Sequence, residues 1–268
     1  MKKAENWYSE FGEYTIEEYV QERFLKNEDE MERLRRVISL IPEGTSSLLD
    51  VGCGVGIFLD LLRRHRGIQG MGIDISEKKV NFARARGLLV EKGDAGSLRF
   101  EDHYFDVVTA LEVLEHLPFG TYEKALKEIA RVSKKTIIIS VPYNERRLFI
   151  TCPYCGTMFN PSYHFRIFKE DTLSSLFPGF KLQKIEKIGV VHQAILPENL
   201  MKIIDILRKT PLTIEYVCPA CCFRKPPFKS KIKKGGKKKD FLKKFLLFLL
   251  WRKQPRWIIA VYNRSNCF

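Results

Sequence analysis

The sequence predicts an α/β fold in which a parallel sheet carries helices on both faces. Short apolar runs alternate with stretches long enough for a helix, and this alternation is typical of a doubly wound sheet. A glycine-rich turn follows the first run and opens an amphipathic segment. The runs are residues 47–51, 71–75, 88–90, 105–111 and 136–141.

Two helices precede this alternation. They are predicted within residues 13–41, and the second, from 28 to 41, has apolar residues at helical spacing and ends at Pro42. Residues 180–191 and 257–262 are candidates for two further strands at the end of the sheet.

An insert separates these two late strands. It contains a predicted helix near 198–208, a cysteine cluster, a basic run and an apolar helix. The chain of 268 residues is therefore divided into four parts. They are an N-terminal helical cap (1–45), a core (46–191 plus 256–264), a cysteine-containing insert (151–166 plus 197–223) and a basic segment with an amphipathic helix (224–255).

The composition excludes a disordered chain, and the positive charge is concentrated in one late segment. A hydrophobic content of 45% suits one large domain or a domain with an insert. The net charge is +14, of which residues 223–256 carry +13. No apolar run follows the N-terminal lysines, and the longest apolar run has seven residues where a membrane span needs about 20. We therefore expect a cytoplasmic protein whose cysteines serve metal binding or packing rather than disulfides.

A glycine loop and three acidic residues predict a nucleotide-like ligand site. The loop lies between the first strand and the next helix, where a ligand can approach bare backbone amides. Its glycines are Gly52, Gly54 and Gly56. Asp50 precedes the loop, Asp74 ends the next strand and Asp94 follows the third. Carboxyl ends of neighbouring parallel strands adjoin, so these acids are predicted to converge on one crevice, where Asp74 can accept both hydroxyls of a ribose.

Taken together, these motifs resemble class I S-adenosylmethionine-dependent methyltransferases, particularly the small-molecule group called type 11. The resemblance rests on LDVGCGVG, GIDIS, GDA and FDVVTALEVLEHL, and it covers about residues 45–190 plus the strand near 257–263. It implies an enzyme with a Rossmann-like, seven-stranded sheet whose last strand is antiparallel. It also implies that Asp74 holds the cofactor ribose and that Asp94 faces the adenine amine. The implied cofactor contacts are Asp50, Gly52, Gly54, Gly56, Asp74, Ile75, Asp94, Ala95 and Leu111.

Candidates for chemistry follow the fourth and fifth strands. Glu112, Glu115 and His116 would share one face of a helix, and E-x-x-E-H resembles the magnesium-binding element of some O-methyltransferases. The alternative is that no metal binds and that His116 caps or packs. His164 lies in H-F-R-I-F, which is similar to an element that type 11 relatives carry on the loop facing the acceptor. We expect His164 to be the general base or an acceptor contact, with Arg166 as an anion or packing partner. His116 and Glu112 are further catalytic candidates.

Two C-P-x-C knuckles predict a structural zinc site. Their cysteines are Cys152, Cys155, Cys218 and Cys221. Each knuckle can supply two thiolates to one tetrahedral ion, and four thiolates leave no open position for chemistry. Cys222 could replace Cys221, and an alternative makes His164 a ligand of the same site. The alternative is free buried cysteines or a redox pair.

The basic segment predicts an anionic partner. Its lysines adjoin an apolar helical face between residues 241 and 250, with Trp251 and Trp257 as aromatic anchors, and this combination suits an anionic membrane surface. Nucleic acid is the weaker alternative, because few aromatic residues interleave with the lysines. A third interpretation is a packed helix with solvated lysines.

The sequence therefore predicts methyl transfer from S-adenosylmethionine to a small-molecule or lipid-linked acceptor, glycan-like or quinone-like, on oxygen. The enzyme would be cytoplasmic and peripheral on the inner face of the membrane. The alternatives are an RNA or protein methyltransferase guided by the basic segment, and a non-catalytic binding module.

Overall fold

The computed structural model describes residues 16–147, 149–194, 216–225 and 251–265. These residues form two compact units. The first contains residues 16–145, 163–189 and 257–265, and the second contains the remainder. No helix in the described part of the chain is long and apolar enough to cross a membrane. The predicted helix near 198–208 and the predicted apolar face between 241 and 250 lie outside the described residues.

A seven-stranded sheet forms the centre of the first unit. Its strands are β1 (Leu48–Val51), β2 (Met71–Asp74), β3 (Leu89–Lys92), β4 (Phe105–Leu111), β5 (Ser133–Pro142), β6 (Phe180–Ile188) and β7 (Trp257–Arg264). They lie in the order β3-β2-β1-β4-β5-β7-β6. Strands β1 to β5 pair in parallel, and β7 runs antiparallel to both of its neighbours. The predicted doubly wound sheet with an antiparallel last strand is confirmed.

Helices precede and connect these strands. They are α1 (Ile16–Val20), α2 (Glu28–Ser39), α3 (Ile57–Arg66), α4 (Glu77–Ala85), α5 (Thr121–Val132) and α6 (Glu170–Leu173), and a π-helical turn, Gln21–Leu25, follows α1. The sequence sets their ends. The side chain of Asn27 caps α2, that of Ser76 caps α4, and α3 lies between Gly56 and Gly67, both in left-handed conformation.

Each face of the sheet has its own apolar core. Helices α2 and α3 cover one face, where Leu34 and Leu62 belong to the same buried cluster as Leu48 of β1. On the other face, Ile129 of α5 belongs to the same cluster as Leu49. Because Leu48 and Leu49 are adjacent yet lie in different cores, β1 is buried on both sides. This explains why the adjacent positions 48 and 49 are both apolar rather than alternating with polar residues.

The predicted strand over residues 180–191 is two strands. The first, β6, ends at Ile188, and Gly189 follows with a left-handed φ of 67°. The second, Val191–Ala194, belongs to the second unit and pairs antiparallel with Trp251–Gln254.

The predicted amphipathic helix does not extend through Trp251. Residues 251–254 form a strand rather than the end of a helix. Trp257 begins β7 and is 1% exposed, so its proposed role as a membrane anchor is wrong.

Three short antiparallel ribbons make up the regular structure in the described part of the second unit. Besides the pair just given, they are Ile150–Thr151 with Met158–Phe159 and Tyr216–Val217 with Arg224–Lys225. Each of these two ribbons lies beside one cysteine knuckle. The structure assigns residues 163–166, which the sequence grouped with the insert, to the first unit.

Candidate functional site

The glycine loop between β1 and α3 has left-handed backbone at Gly52, Gly54 and Gly56. A Cβ atom added to Gly52 would lie 2.3 Å from Cγ2 of Val113, and one added to Gly56 would lie 2.4 Å from Cδ1 of Leu88. These two glycines are therefore fixed by close packing. A Cβ atom added to Gly54 would meet nothing within 4 Å, so the middle glycine borders open space.

Asp74, at the end of β2, connects the glycine loop to the next turn. Its Oδ2 accepts the N–H of Gly54 at 2.9 Å, and its Oδ1 accepts the N–H of Ser76 at 2.8 Å. Each carboxylate oxygen can accept a second hydrogen bond, so both retain capacity for a ligand hydroxyl. The N–H of Gly93 donates to the backbone carbonyl of Asp74 at 3.1 Å, which brings the segment containing Asp94 alongside.

The remaining predicted cofactor contacts are half-buried around this point. Asp94 lies in a tight turn, where its Oδ1 accepts the N–H of Gly96 at 2.8 Å. Ile75, Ala95 and Leu111 are half-buried too. Together with Asp74 and Gly54 they fit the cofactor that the resemblance implies, because they offer carboxylate oxygens, half-buried apolar side chains and, at Gly54, backbone that borders open space.

Asp50 lies within β1 and is 2% exposed. The hydroxyl of Thr109 donates to its Oδ1 at 2.7 Å. Burial raises the pKa of Asp50 to about 7, and the Asp74 carboxylate also raises it, whereas the Thr109 hydrogen bond and Arg33 oppose the shift. Near neutral pH this carboxyl is therefore divided between its charged and neutral forms, and its contact with a cofactor stays a prediction.

The E-x-x-E-H segment is not an α-helix, which corrects the expected shared face. Glu112 directly follows the end of β4 and has a left-handed φ of 58°. A single 3₁₀ turn covers Leu114–His116. The N–H of Glu112 donates to the carbonyl of Ser140 at 2.8 Å. The indole N–H of Trp257 donates to Oε2 of Glu112 at 2.9 Å.

Two carboxylates of this segment are buried with few partners. Among the described residues, Oε1 of Glu112 and both carboxylate oxygens of Glu115 have no hydrogen-bond partner. Burial raises the pKa of both groups, and the Glu112 carboxylate raises that of Glu115 further. Arg33 of α2 acts in the opposite direction on both pKa values. Its guanidinium is buried, donates to Glu30 at 2.8 Å and to Ser140 at 3.1 Å, and lies 5.3 Å from the ring centroid of Trp257.

A pair of histidines lies beside Glu115. The rings of His116 and His164 contact edge to face, with centroids 4.6 Å apart. The N–H of Phe165 donates to the carbonyl of Glu115 at 2.7 Å, which ties the two segments together. Burial lowers the pKa of His116 to about 3, and His164 lowers it further, so His116 is neutral at physiological pH.

His164 has a carboxylate partner that the sequence did not reveal. Its Nδ1 bonds to Oε2 of Glu145, three residues beyond the end of β5. Arg166 supports the same segment, because its guanidinium donates to the carbonyl of Leu117 and lies 3.6 Å from the ring centroid of Tyr122. The sequence does place an acidic residue, Glu145, shortly after a predicted strand. Nothing in the sequence indicates that this residue pairs with His164.

The ligand atoms of Glu115, His116 and His164 lie within 4.8 Å of one another. Glu112, which the sequence grouped with a metal, is not part of this set. Magnesium prefers oxygen ligands, whereas this set offers two imidazoles and one carboxylate. The residues therefore do not fit the magnesium ion that the E-x-x-E-H resemblance suggests.

In the second unit, the four predicted cysteines come together. Their sulfurs lie within 4.8 Å of one another, with Cys152 and Cys221 separated by 3.7 Å and Cys155 and Cys218 by 3.5 Å. Sulfurs bound tetrahedrally to zinc at about 2.3 Å are about 3.8 Å apart. The four side chains therefore fit a tetrahedral ion. His164 lies in the first unit with Glu145, not in this cluster.

The two knuckles have the same backbone. The N–H of Gly156 donates to the carbonyl of Cys152 at 3.0 Å, and the N–H of Cys222 donates to that of Cys218 at 2.9 Å. Gly156 and Cys222 both have left-handed φ values, 74° and 60°. Cys222 thus occupies the position that glycine holds in the first knuckle, outside the set of four sulfurs.

Part of this chain is similar in sequence to known methyltransferases. The family described as "Methyltransferase domain" matches residues 49–139. Norajmaline N-methyltransferase of Rauvolfia serpentina is 32% identical over 129 residues, which cover 45% of this chain and 44% of that protein. Ubiquinone biosynthesis O-methyltransferase of Hahella chejuensis is 41% identical over 96 residues, covering 32% of this chain and 38% of that protein. The chain thus spans less than half the length of these curated relatives.

A solved structure shows the same fold. A S-adenosylmethionine-dependent methyltransferase from Archaeoglobus fulgidus superposes with a TM-score of 0.53 at 19% sequence identity, covering 93% of this chain and all of that one.

The open space beside Gly54 gives a first prediction. We expect Gly54→Ala to weaken binding of S-adenosylmethionine by at least about tenfold, because a side chain would fill the space and strain a left-handed position. Gly44→Ala is the matched control, since Gly44 also has a positive φ and open space. Calorimetric titration measures both. Equal affinities of the two variants would contradict a ligand at Gly54.

The second knuckle gives another prediction. We expect Cys222→Gly to keep the metal and to raise the thermal midpoint, because glycine removes about 1 kcal/mol of left-handed strain. Gly156→Ala should lower the midpoint, and Cys221→Ser should lose the metal. Elemental analysis and thermal unfolding measure these outcomes. Loss of metal from Cys222→Gly would show that Cys222 is a ligand.

Proposed function

Because the chain carries a class I S-adenosylmethionine-dependent methyltransferase domain, we propose that the protein transfers a methyl group to a hydroxyl of a small-molecule or lipid-linked acceptor. One observation carries this proposal. Val113 packs against Gly52, so the glycine loop adjoins the segment that holds Glu115 and His116. A cofactor on the loop and a proton acceptor on the histidine pair would therefore serve the same crevice.

The chain's own residues would hold the cofactor at the loop. Gly54 offers bare backbone, and Asp74 offers carboxylate oxygens to a ribose. When bound, S-adenosylmethionine supplies a methyl group already activated by its sulfonium leaving group. The protein's remaining task is to orient the acceptor and to remove its proton.

His164 is the proposed base, and Glu145 is its positioning residue. When Nδ1 of His164 donates to Glu145, Nε2 is left as the proton acceptor, and the carboxylate stabilises the imidazolium that forms. His116 is neutral beside it, so it does not oppose the positive charge that develops on His164. The proton of the acceptor hydroxyl would move to Nε2 of His164 as the acceptor oxygen becomes nucleophilic.

Oxygen is the proposed acceptor atom, and an amine is the second candidate. The base just described suits a hydroxyl, which must lose a proton, and a glycan-like or quinone-like acceptor carries such hydroxyls. One observation supports the amine as the second candidate. The carboxylate of Glu115 is buried, and neither oxygen has a hydrogen-bond partner in the described part of the chain, so it could pair with an ammonium group.

The second unit has a proposed structural role. Zinc on Cys152, Cys155, Cys218 and Cys221 would hold its two knuckles together, because the chain between them is long and the described ribbons are short. A peripheral position on the inner face of a membrane is also part of the proposal.

Variants of the histidine pair test the base. We expect His164→Asn to lower methyl transfer by about 100-fold or more, and Glu145→Gln to lower it less, because the glutamine keeps a hydrogen-bond acceptor but not the charge. The measurement is transfer of tritiated methyl from S-adenosylmethionine into a solvent extract of cell lipids and small molecules.

Cofactor affinity is the readout that separates this role from a structural one. It should stay unchanged in both variants, and the exposed His65→Asn provides the control. Transfer that persists in His164→Asn at the wild-type rate would overturn the assignment. So would a second metal ion bound stoichiometrically and required for transfer.

A further inference from the structure

The two units differ sharply in charge. Residues 146–162 and 190–256, which supply the second unit, contain 19 Lys and Arg against four Asp and Glu, a net charge of +15. The rest of the chain has 27 basic against 28 acidic residues, a net charge of −1. Among the described residues of the second unit there are seven basic residues and no acidic ones. In the described part of the second unit, no acidic side chain of that unit offsets the charge of these basic residues.

Large apolar side chains of the same unit are exposed to solvent. Tyr154, at the first knuckle, is 79% exposed, Met158 is 67% exposed and Val190 is 58% exposed. In the first ribbon, the pair Ile150 and Phe159 is buried while Met158 of the neighbouring pair faces outward. The ring of Tyr154 lies parallel to that of Phe223, which follows the second knuckle. Tyr154 and Met158 are thus presented by the first knuckle and the ribbon that flanks it.

We propose that the second unit binds the surface of an anionic phospholipid bilayer, with the exposed Arg252 and Lys253 against the headgroups and Tyr154 and Met158 inserted between them. Basic residues near such a surface and apolar side chains at the headgroup boundary both contribute to binding. The proposal goes beyond methyl transfer and does not depend on it, because the cofactor residues belong to the first unit.

Single-stranded RNA is the rival partner, and two observations disfavour it. Lysines outnumber arginines by eleven to three in residues 223–256, whereas RNA recognition relies on the planar guanidinium for stacking and paired hydrogen bonds. Met158 and Val190 are exposed aliphatic side chains, which insert into a lipid surface but have no π-face for a base to stack on.

Vesicle flotation of the full chain tests the proposal. The probe is a phosphatidylcholine vesicle in which one third of the lipid is phosphatidylglycerol, with pure phosphatidylcholine vesicles as the neutral comparison. We expect the protein to float with the anionic vesicles only, and to be released as the salt concentration rises.

Charge variants locate the binding surface. Arg252 and Lys253 are exposed neighbours in a strand, so they point to opposite faces. We expect Arg252→Gln with Lys253→Gln to lower the vesicle partition coefficient about fivefold if one charge meets the lipid, and more if both do. Arg99→Gln with Lys127→Gln, two exposed residues of the first unit, gives the same loss of charge and should leave partition within about twofold.

Apolar variants test insertion. We expect Tyr154→Ser with Met158→Ser to lower partition by about tenfold or more, at unchanged net charge. Leu89→Ser, at a half-exposed position in β3, is the control. Metal content and thermal midpoint confirm that each variant is folded.

Two outcomes would overturn the proposal. One is equal partition of the second-unit variants and their first-unit controls. The other is tight, salt-sensitive binding of a single-stranded RNA by protein that does not float with anionic vesicles. Titration with S-adenosylmethionine on the same preparations keeps this result separate from the fate of the methyl-transfer proposal.

Discussion

Burial of carboxyl groups at the carboxyl ends of β1 and β4 is the constraint on which the first unit depends. Asp50, Glu112 and Glu115 are removed from water, and each would be costly as an uncompensated charge. One buried cation, Arg33 of α2, lowers the pKa of all three. Helix α2 thus helps to set the charge of the site, because without Arg33 these acids would be held more firmly in their neutral forms.

The sheet and the glycine loop could be predicted because their signals are local. A buried strand is an apolar run, and a left-handed turn needs glycine, whatever lies elsewhere in the chain. Arg33 was missed although its signal is visible, since Glu30 and Arg33 lie at helical spacing with the apolar residues Leu34 and Val37. Charged residues on an apolar face indicate a buried ion pair.

The histidine site could be predicted only in part. The pairing of His164 with Glu145, and the left-handed turn at Glu112, depend on where distant segments meet, and no period or spacing encodes that. Trp257 shows the same limit. Its position beside a basic segment predicts a surface anchor. In the structure it lies in β7, where it is buried against Arg33 and Glu112. The four cysteines were found because two knuckles of fixed spacing are a local pattern.

The most direct test of the cofactor crevice is calorimetric titration of S-adenosylmethionine into wild type and Asp74→Asn. An asparagine keeps the size of the side chain but loses the charge, and its amide NH2 replaces one of the two oxygens that accept the N–H groups of Gly54 and Ser76. We expect wild type to bind in the micromolar range and the variant to bind about tenfold to 100-fold more weakly. Absence of binding by folded, metal-loaded wild type would contradict the account.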